Sequence, residues 1–255
     1  MLRKWLAHPD TRGLDVDDPH LTQLRRKIIA EKSFLCKIYR EWYLAIAASL
    51  PAGDGRVLEI GSGAGFLQEF IPGLVRSEVF VCPGMDVLLD ALTLPIAAGS
   101  LRAIVMTDVL HHLPEPRRFF FEAARCVRAG GVIAMIEPWV SPWSRWVYGH
   151  LHHEPFNPEA TDWSFPSAGP LSGANGALPW ILFERDRARF TREFPEWAIH
   201  TIEPQMPFRY LVSGGVSMRS LMPGAAFGIW RGLENSMHPL MKYIAMFSLV
   251  VLERI

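Results

Sequence analysis

The sequence has little cysteine, no excess of either charge and no long apolar run. Its three cysteines, Cys36, Cys82 and Cys126, are widely spaced and form no CxxC pair, which excludes a disulfide scaffold or a zinc ribbon. Lysine and arginine number 26, as do aspartate and glutamate, so charge does not draw the whole chain toward nucleic acid. The longest apolar run, 243–252, is too short to cross a bilayer.

The sequence does contain ample material for a hydrophobic core. Of its 255 residues, 49% are apolar and 20% are charged, which argues against disorder. The opening residues, MLRKWLAHPDTRG, hold no apolar stretch typical of a signal peptide, and we expect a soluble cytoplasmic protein. The length predicts one domain over 1–255, with a helical N-terminal segment at 1–55 and an insertion or lid at 139–195.

A helical pattern runs through residues 21–50, where apolar side chains recur at steps of three, four or seven until Pro51. Residues 21–40 carry six basic side chains against one acid, Glu31. Two interpretations of this basic side stay open. It contacts a membrane surface or an anionic acceptor, or it is an ordinary solvated helix face.

Short apolar strands alternate with helices after residue 55. The predicted strands are 56–61, 78–81, 86–89, 103–108 and 132–137, and the predicted helices are 65–71 and 117–128. Strands separated by helices indicate βαβ units in a parallel sheet. A Trp-rich stretch at 138–180 follows, with helices predicted at 143–153 and 178–193. The core then resumes with strands at 197–203 and 247–253 and a helical region at 225–242.

The segment VLEIGSGAGFL joins the first strand to the next element through a glycine-rich loop. Gly61 permits a sharp turn, Gly63 lets a ligand approach the backbone, and Gly65 lets the following helix start close to the sheet. Phe66 occupies the place of the last glycine in a dinucleotide-binding loop, which argues against a nicotinamide cofactor. The acid Glu59 suits a ligand that carries an ammonium group.

Three further segments, DALTLPI, IVMTDVLHHL and FFFEAARCVRAGG, follow in order at 90–96, 104–113 and 119–131. With the glycine loop, they make the sequence resemble the small-molecule branch of the class I S-adenosylmethionine-dependent methyltransferases. The resemblance implies an α/β three-layer sandwich around a seven-stranded, mostly parallel Rossmann-like sheet. An N-terminal helix and the Trp-rich insertion after the fifth strand complete this expected fold. The resemblance also implies S-adenosylmethionine as the cofactor.

The resemblance assigns cofactor-binding roles to several positions. Glu59 orders the glycine loop or meets the ammonium group, and Asp90, with Ala91 beside it, meets the adenine; alternatively, Asp90 caps a helix. The complete expected set is Glu59, Gly61, Ser62, Gly63, Gly65, Asp86, Asp90, Ala91, Thr107, Asp108 and Val109.

One expected acid is missing from the predicted second strand, which ends in VFVCP. The family usually has an acid there that binds both ribose hydroxyls. Glu78 comes too early for this role in the predicted register, and Asp86 comes four residues late. Asp86 either fills the role through a folded loop or begins the third strand, and we include it on that basis.

The resemblance places His111 and His112 near the sulfonium and the acceptor. A histidine there can remove a proton from a hydroxyl, or it serves packing alone. Glu137 and Trp139 are the predicted substrate contacts. No metal site is predicted, because the HLHHE cluster at 150–154 lacks the HExxH order and a second ligand group. The tryptophans at 139–180 line an apolar pocket or merely pack, and the loop 172–176 is part of a mobile lid or a surface turn.

The sequence therefore predicts an S-adenosylmethionine-dependent methyltransferase that acts on a small or lipid-like acceptor, with oxygen favoured as the methylated atom. The basic helix allows peripheral membrane contact, nucleic acid is not expected as a partner, and the oligomeric state is not predicted. One alternative is a non-catalytic cofactor-binding or scaffold protein of the same fold, suggested by the missing acid. Another is a nicotinamide-dependent oxidoreductase, against which Phe66 and the lack of a Tyr-x-x-x-Lys pair argue.

Overall fold

A computed structural model of the chain describes residue 8 and residues 19–151, 154–169 and 173–255. In this part of the chain, seven strands form one sheet in the order β3-β2-β1-β4-β5-β7-β6. The strands are β1 (Arg56–Glu59), β2 (Val75–Glu78), β3 (Val87–Leu88), β4 (Leu101–Thr107), β5 (Val127–Pro138), β6 (Trp197–Gln205) and β7 (Phe247–Arg254).

Helices in the described ranges precede the sheet, connect its strands and fill the region between β5 and β6. They are α1 (Pro19–Glu31), α2 (Ser33–Ala48), α3 (Pro116–Cys126), α4 (Pro142–Leu151), α5 (Leu178–Trp180), α6 (Arg187–Glu193), α7 (Arg209–Ser213), α8 (Phe227–Ser236) and α9 (Met241–Ile244). A π-helical turn, Ile181–Arg185, joins α5 to α6. Single 3₁₀ turns lie at Leu67–Glu69, Leu110–His112, Gly224–Ala226 and His238–Leu240.

The direction of the strands confirms the predicted fold class. Strands β1 to β5 run parallel, as in the β4–β5 register of Ile104 opposite Ile133, while β7 is antiparallel to both β5 and β6. The sheet is therefore mixed only at its β5-β7-β6 side. From β1 the chain runs outward through β2 and β3 on one side and then crosses to β4 on the other side of β1, so the strand order reverses at β1. Ligands bind at such a switch point, beyond the carboxyl ends of the strands.

Strand β4 divides the core into two layers, because successive side chains of a strand point to opposite faces of its sheet. Ile104 and Met106 belong to one apolar cluster, which includes Phe120 of α3. Ala103 and Val105 belong to the other, against α2. All four side chains on β4 are fully buried. The sheet thus has a helical layer on each face, as the three-layer prediction required.

The N-terminal pattern forms two helices rather than one, with the break at Lys32. Its amino group donates hydrogen bonds to the carbonyl oxygens of Gly215 and Met218, so Lys32 ties the break to a distant loop. The other basic side chains of 21–40 are also engaged: Arg26 bonds Gly63, Lys27 pairs with Glu31, Lys37 bonds Gly224, Arg40 pairs with Glu69, and Arg25 lines a cavity. Most of these basic side chains therefore have hydrogen-bond or ion-pair partners in the same chain.

Several predicted boundaries were wrong. Strand β2 lies three residues earlier than expected, at Val75–Glu78, and the predicted helix at 65–71 is a 3₁₀ turn. The irregular segment after β1 reflects crowding, because Phe66 and Phe70 pack on Tyr43 of α2. The predicted helix at 178–193 is interrupted by the π turn. Within the described residues, no helix is both long enough and apolar enough to span a membrane.

Candidate active site

A cavity of about 370 Å³ opens at the carboxyl ends of β1, β2 and β4. Its walls come from the glycine loop, from the residues that follow β3 and β4, from α1 and α2, and from the segment after α4. Of the predicted cofactor residues, the cavity is lined by Glu59, Gly61, Ser62, Gly63, Gly65, Asp90, Ala91, Thr107, Asp108 and Val109. Both predicted catalytic residues, His111 and His112, line it as well.

Two glycines of the loop, Gly61 and Gly65, leave no room for a side chain. Gly61 and Gly63 have positive φ values of 65° and 44°, a region that side chains disfavour. A Cβ on Gly61 would lie 2.6 Å from Val109, and one on Gly65 would lie 2.5 Å from the Tyr43 hydroxyl. The close approach of α2 and of the chain after β4 therefore requires glycine at these positions.

Glu78 is the acid at the end of β2, and the register used for the sequence prediction was wrong here. Its Oε1 accepts a hydrogen bond of 2.8 Å from the Gly63 amide, and its Oε2 accepts one of 3.2 Å from the Val79 amide. The carboxylate is buried and lines the cavity. Burial raises the pKa of Glu78, and the two amide hydrogen bonds oppose that rise. The acid that seemed missing from the second strand is therefore present.

The prediction that Asp86 supplies the ribose acid was wrong. Its carboxylate binds Arg76, with bonds of 2.9 and 3.0 Å to the guanidinium and one of 2.9 Å to the Arg76 amide. These bonds hold the pKa of Asp86 near 2. Asp86 is exposed and does not line the cavity. It fixes β2 against the turn before β3 instead.

Glu59 ends β1 as a buried acid beside the glycine loop. Burial raises the pKa of its carboxyl to about 7, although a hydrogen bond from Ser62 works in the opposite direction. The backbone here is held by Ser77, whose hydroxyl donates to the Glu59 carbonyl oxygen over 2.6 Å. A cationic group in the cavity would stabilise the ionised form of Glu59.

Asp90 lies on the cavity wall after β3. Its Oδ1 accepts a hydrogen bond of 2.8 Å from the Leu92 amide, which makes a tight turn. No helix begins at this described segment, so Asp90 is not a helix cap. Ala91 is buried beside it and also lines the cavity.

The end of β4 brings polar atoms into the cavity. Thr107 has a buried hydroxyl oxygen with no hydrogen-bond partner among the described residues. Asp108 has a left-handed backbone with φ of 59°, held by the bond of 2.9 Å from its amide to the Ile136 carbonyl oxygen. Burial raises the pKa of Asp108 to about 7, while the neighbouring His111 opposes that rise.

Glu137 organises the turn that follows β4. Its Oε1 accepts hydrogen bonds from the amides of Val109, 2.8 Å, and Leu110, 2.7 Å. Its Oε2 lies 2.7 Å from Nδ1 of His111. Burial alone would lower the pKa of His111, but the carboxylates of Glu137 and Glu154 raise it to about 10. The two carboxylates therefore favour the protonated form of His111.

His112 differs from its neighbour in charge. Its Nδ1 lies 3.1 Å from the Gly173 carbonyl oxygen, an acceptor, so this nitrogen carries the proton of a neutral ring. Burial and the charge on His111 lower the pKa of His112 to about 4. The Asn175 amide donates to the His111 carbonyl oxygen over 2.9 Å. Gly173 and Asn175 are thus bonded to the histidine pair; Ser172 lies outside the described residues.

The predicted substrate contacts, Glu137 and Trp139, do not line the cavity. Both are buried, Glu137 under the turn after β4 and Trp139 in the main apolar cluster. None of the five tryptophans of the insertion lines the cavity: Trp139, Trp143, Trp146, Trp163 and Trp180. Trp139 and Trp163 are buried in the main apolar cluster, and Trp180 packs against it. Trp143 and Trp146 stack on each other.

Sequence reasoning missed four tyrosines and Glu154. Tyr39 and Tyr43 lie one helical turn apart on α2, and Tyr148, Tyr210 and Glu154 come from later segments; all five line the cavity. The spacing of four between Tyr39 and Tyr43 was a visible sign that they share one helix face. Nothing local in the sequence marks the other three as neighbours of the glycine loop.

Residues 58–135 match the family model described as a methyltransferase domain. No curated protein sequence gives a significant match. Among solved structures, geranyl diphosphate C-methyltransferase from Streptomyces coelicolor A3(2) superposes with a TM-score of 0.53 at 13% identity, covering 98% of this chain and 89% of that one. That crystal contained Mg²⁺, geranyl diphosphate and S-adenosyl-L-homocysteine.

A second similar structure is a methyltransferase described as putative, in complex with the Trm112 activator of Haloferax volcanii. It has a TM-score of 0.50 at 12% identity and covers 90% of this chain and 97% of that one. At such identities the superpositions show a common fold. Together with the family model, they confirm the resemblance found in the sequence. The chain has the class I S-adenosylmethionine-dependent methyltransferase fold, and residues 58–135 match its methyltransferase domain.

Proposed function

We propose that this protein binds S-adenosylmethionine over the carboxyl ends of β1 and β2 and transfers its methyl group to an oxygen of a small or lipid-like acceptor. The observation that carries the proposal is the Glu78 carboxylate, buried at the end of β2 and bonded to Gly63 over 2.8 Å. It supplies the acid that binds ribose hydroxyls in this family, beside a glycine loop whose backbone is open to the cavity.

The remaining cofactor residues fit the same ligand. Glu59 and the loop at 61–65 suit the ammonium and carboxylate of the amino-acid portion, and Asp90 with Ala91 suits the adenine. The buried Thr107 hydroxyl, which lacks a partner among the described residues, supplies a further polar contact. An unpaired buried hydroxyl costs free energy until a ligand satisfies it.

The acceptor is proposed to lie between the histidine pair and the aromatic wall. Tyr148 and Phe156 stack with ring centroids 4.5 Å apart, and both line the cavity together with Tyr210. Such walls suit an apolar or aromatic acceptor, whereas the neighbouring His112 suits a hydroxyl oxygen. In such a transfer, the acceptor oxygen would bond to the methyl carbon as the carbon–sulfur bond broke, leaving a thioether, and the hydroxyl proton would pass to the neutral His112 ring or to water. The protein contributes mainly by positioning the two reactants.

Two experiments test this proposal. Calorimetric titration with S-adenosylhomocysteine should show saturable binding of one ligand per chain, and the same titration with NADH should show none. Incubation with S-adenosylmethionine and a panel of phenolic, hydroxylated lipid, amine and carbon acceptors should then add one methyl group to a hydroxyl, detected by mass spectrometry. Absence of S-adenosylhomocysteine binding would overturn the cofactor assignment. Binding without turnover of any acceptor would favour the non-catalytic alternative.

A further inference from the structure

Three potential metal ligands from two separate segments meet at the cavity wall. His111 and His112 lie in the 3₁₀ turn after β4, and Glu154 follows α4. One donor atom from each lies within 4.8 Å of the others. The sequence placed Glu154 in a histidine-rich cluster of its own, far from the histidine pair, so only the folded chain brings this set together.

Both imidazole rings are held through Nδ1, as the rings of many metal-binding histidines are. Nδ1 of His111 lies 2.7 Å from Glu137, and Nδ1 of His112 lies 3.1 Å from the Gly173 carbonyl oxygen. A bond from Nδ1 to a carboxylate or a carbonyl oxygen fixes the ring and leaves Nε2 as the ligand atom, which is the usual support around ligating histidines. Glu137, which also binds two backbone amides, thus holds His111 rigidly.

The spacing between His111 and Glu154 fits a shared ion. Their closest atoms, Nε2 and Oε2, are 3.7 Å apart. That is too long for a good hydrogen bond, whose length is at most about 3.2 Å. Two ligand atoms that each lie about 2.1 Å from one ion are separated by roughly this distance when the angle at the ion is about 120°.

The charges around these residues also favour a cation. Three carboxylates, those of Asp108, Glu137 and Glu154, act on His111 or on one another in a largely buried region. The positive charges that act on these acids are those of His111 and of Arg25 on α1, which lines the same cavity. A divalent ion bound at Nε2 of both rings would take the place of the second His111 proton, which is released on binding, and would offset this excess of acid.

The geometry points to a binding site for a divalent transition-metal ion, held by Nε2 of His111, Nε2 of His112 and the carboxylate of Glu154, with its remaining positions open to the cavity. Two imidazoles and one carboxylate suit Mn²⁺, Fe²⁺, Co²⁺ or Zn²⁺, whereas Mg²⁺ and Ca²⁺ prefer oxygen ligands alone. The site stands independently of the methyl-transfer proposal. If both hold, the ion is placed to bind the acceptor oxygen and to favour its deprotonated form.

The test is calorimetric titration of the full chain, freed of metal by chelator and dialysis, with Zn²⁺, Mn²⁺ and Mg²⁺ separately. We expect one ion per chain for Zn²⁺ and Mn²⁺ and at least about tenfold weaker binding of Mg²⁺. His112→Ala and Glu154→Gln should each weaken Zn²⁺ binding by about tenfold or more, and Glu137→Gln by about 10- to 100-fold. His200→Ala is the matched control, because this exposed histidine on β6 lies outside the cavity. Its replacement should leave the affinity for Zn²⁺ unchanged.

Thermal unfolding of each metal-free variant shows whether it is folded. If His112→Ala does not fold, Glu154→Gln decides, because the Glu154 side chain is 28% exposed and tolerates the change. No saturable Zn²⁺ or Mn²⁺ binding to the metal-free protein, or unchanged affinity in Glu154→Gln, overturns the site. S-adenosylhomocysteine titration of the same sample separates the two proposals, since either ligand can bind while the other does not.

Discussion

The Gly63 amide donates a hydrogen bond of 2.8 Å to the Glu78 carboxylate, which joins the loop after β1 to the end of β2. The same carboxylate also accepts from the Val79 amide. Both strands therefore present their carboxyl ends to the cavity as one unit. A ligand that bonds Glu78 is therefore also held against the glycine loop.

Glu78→Ala should weaken S-adenosylhomocysteine binding by about 1.5–3 kcal/mol, because a charged acceptor of ribose hydroxyls is lost. Asp86→Ala is the matched control: it removes an acid from the neighbouring turn that binds Arg76 outside the cavity, so ligand affinity should not change. Calorimetry on both variants measures the difference. Equal losses in the two variants, or a loss in Asp86→Ala alone, would contradict the position assigned to the ribose.

Gly63→Val should abolish S-adenosylhomocysteine binding while the protein stays folded. The new side chain must adopt a backbone with φ of 44°, and its Cβ would lie 3.3 Å from the Glu78 carboxylate. It would also fill the space that the ligand needs. Gly99→Val, at a positive φ of 63° with open space around it, controls for backbone strain alone. Normal binding by Gly63→Val would place the ligand elsewhere.

Asp90→Ala should weaken S-adenosylhomocysteine binding by about 1–2 kcal/mol, less than Glu78→Ala, because Asp90 is exposed and water competes for its hydrogen bond. The variant also loses the bond of 2.8 Å from the Leu92 amide. A control must therefore separate a lost contact with the ligand from a change in the turn. Asp90→Asn keeps an acceptor for that amide and should lose affinity as well. Calorimetry of the pair then separates adenine contact from turn geometry; full affinity in Asp90→Asn would remove the charged contact.

Affinity for S-adenosylhomocysteine should rise with pH through about 7, because burial sets the pKa of Glu59 near that value in the free protein. Below it the carboxyl is protonated and cannot pair with the ligand's ammonium group. Above it the carboxylate is ionised in the free and bound states alike, and the gain levels off. The neighbouring Glu78, Arg76 and Arg26 also act on this carboxyl.

Glu59→Gln is the control for this pH dependence, because the amide keeps the shape of the side chain without titrating. Titrations at about pH 6 and about pH 8 should differ less for the variant than for the parent protein. A parent affinity that is flat over this range would show that Glu59 only orders the loop.

Phe120→Ala should lower the free energy of unfolding by about 3–5 kcal/mol, because it opens a cavity in a fully packed cluster. The Phe120 ring is buried against Phe183, Phe190 and Phe194, at centroid distances of 5.0–6.1 Å. Phe121→Ala, one residue along α3 and 57% exposed, should cost under about 1 kcal/mol. Urea unfolding of both variants measures the contrast, and similar losses would contradict this packing.

The features predicted correctly from the sequence are local ones. The glycine loop, the apolar strand β4 and the turn that carries His111 and His112 each follow from neighbouring residues and their order. Their meeting at one edge of the sheet follows from parallel strands, whose carboxyl ends share that edge. These constraints sufficed to predict the fold and to bring ten of the eleven expected cofactor residues to the cavity.

The wrong predictions concern features that depend on contacts between residues distant in the sequence. Val79, Phe80 and Val81 have high strand propensity, yet β2 consists of the more polar residues Val75–Glu78, because pairing with β1 fixes its register. In the predicted register, Glu78 stood at the start of the strand rather than at its end, so Asp86 was considered in its place. Glu154 was missed as a partner of the histidine pair for a similar reason, because the insertion that carries it has no periodic pattern.

Strand β4 contributes alternate side chains to the two apolar layers, with Ile104 in one and Val105 in the other. Because both layers pack on β4, loss of this strand from the sheet would disrupt the two layers together. We therefore expect heat to unfold both layers in a single cooperative transition, with equal calorimetric and van't Hoff enthalpies. Because the cavity is built on the carboxyl end of β4, ligand binding should then raise the melting temperature of the whole molecule rather than of one part.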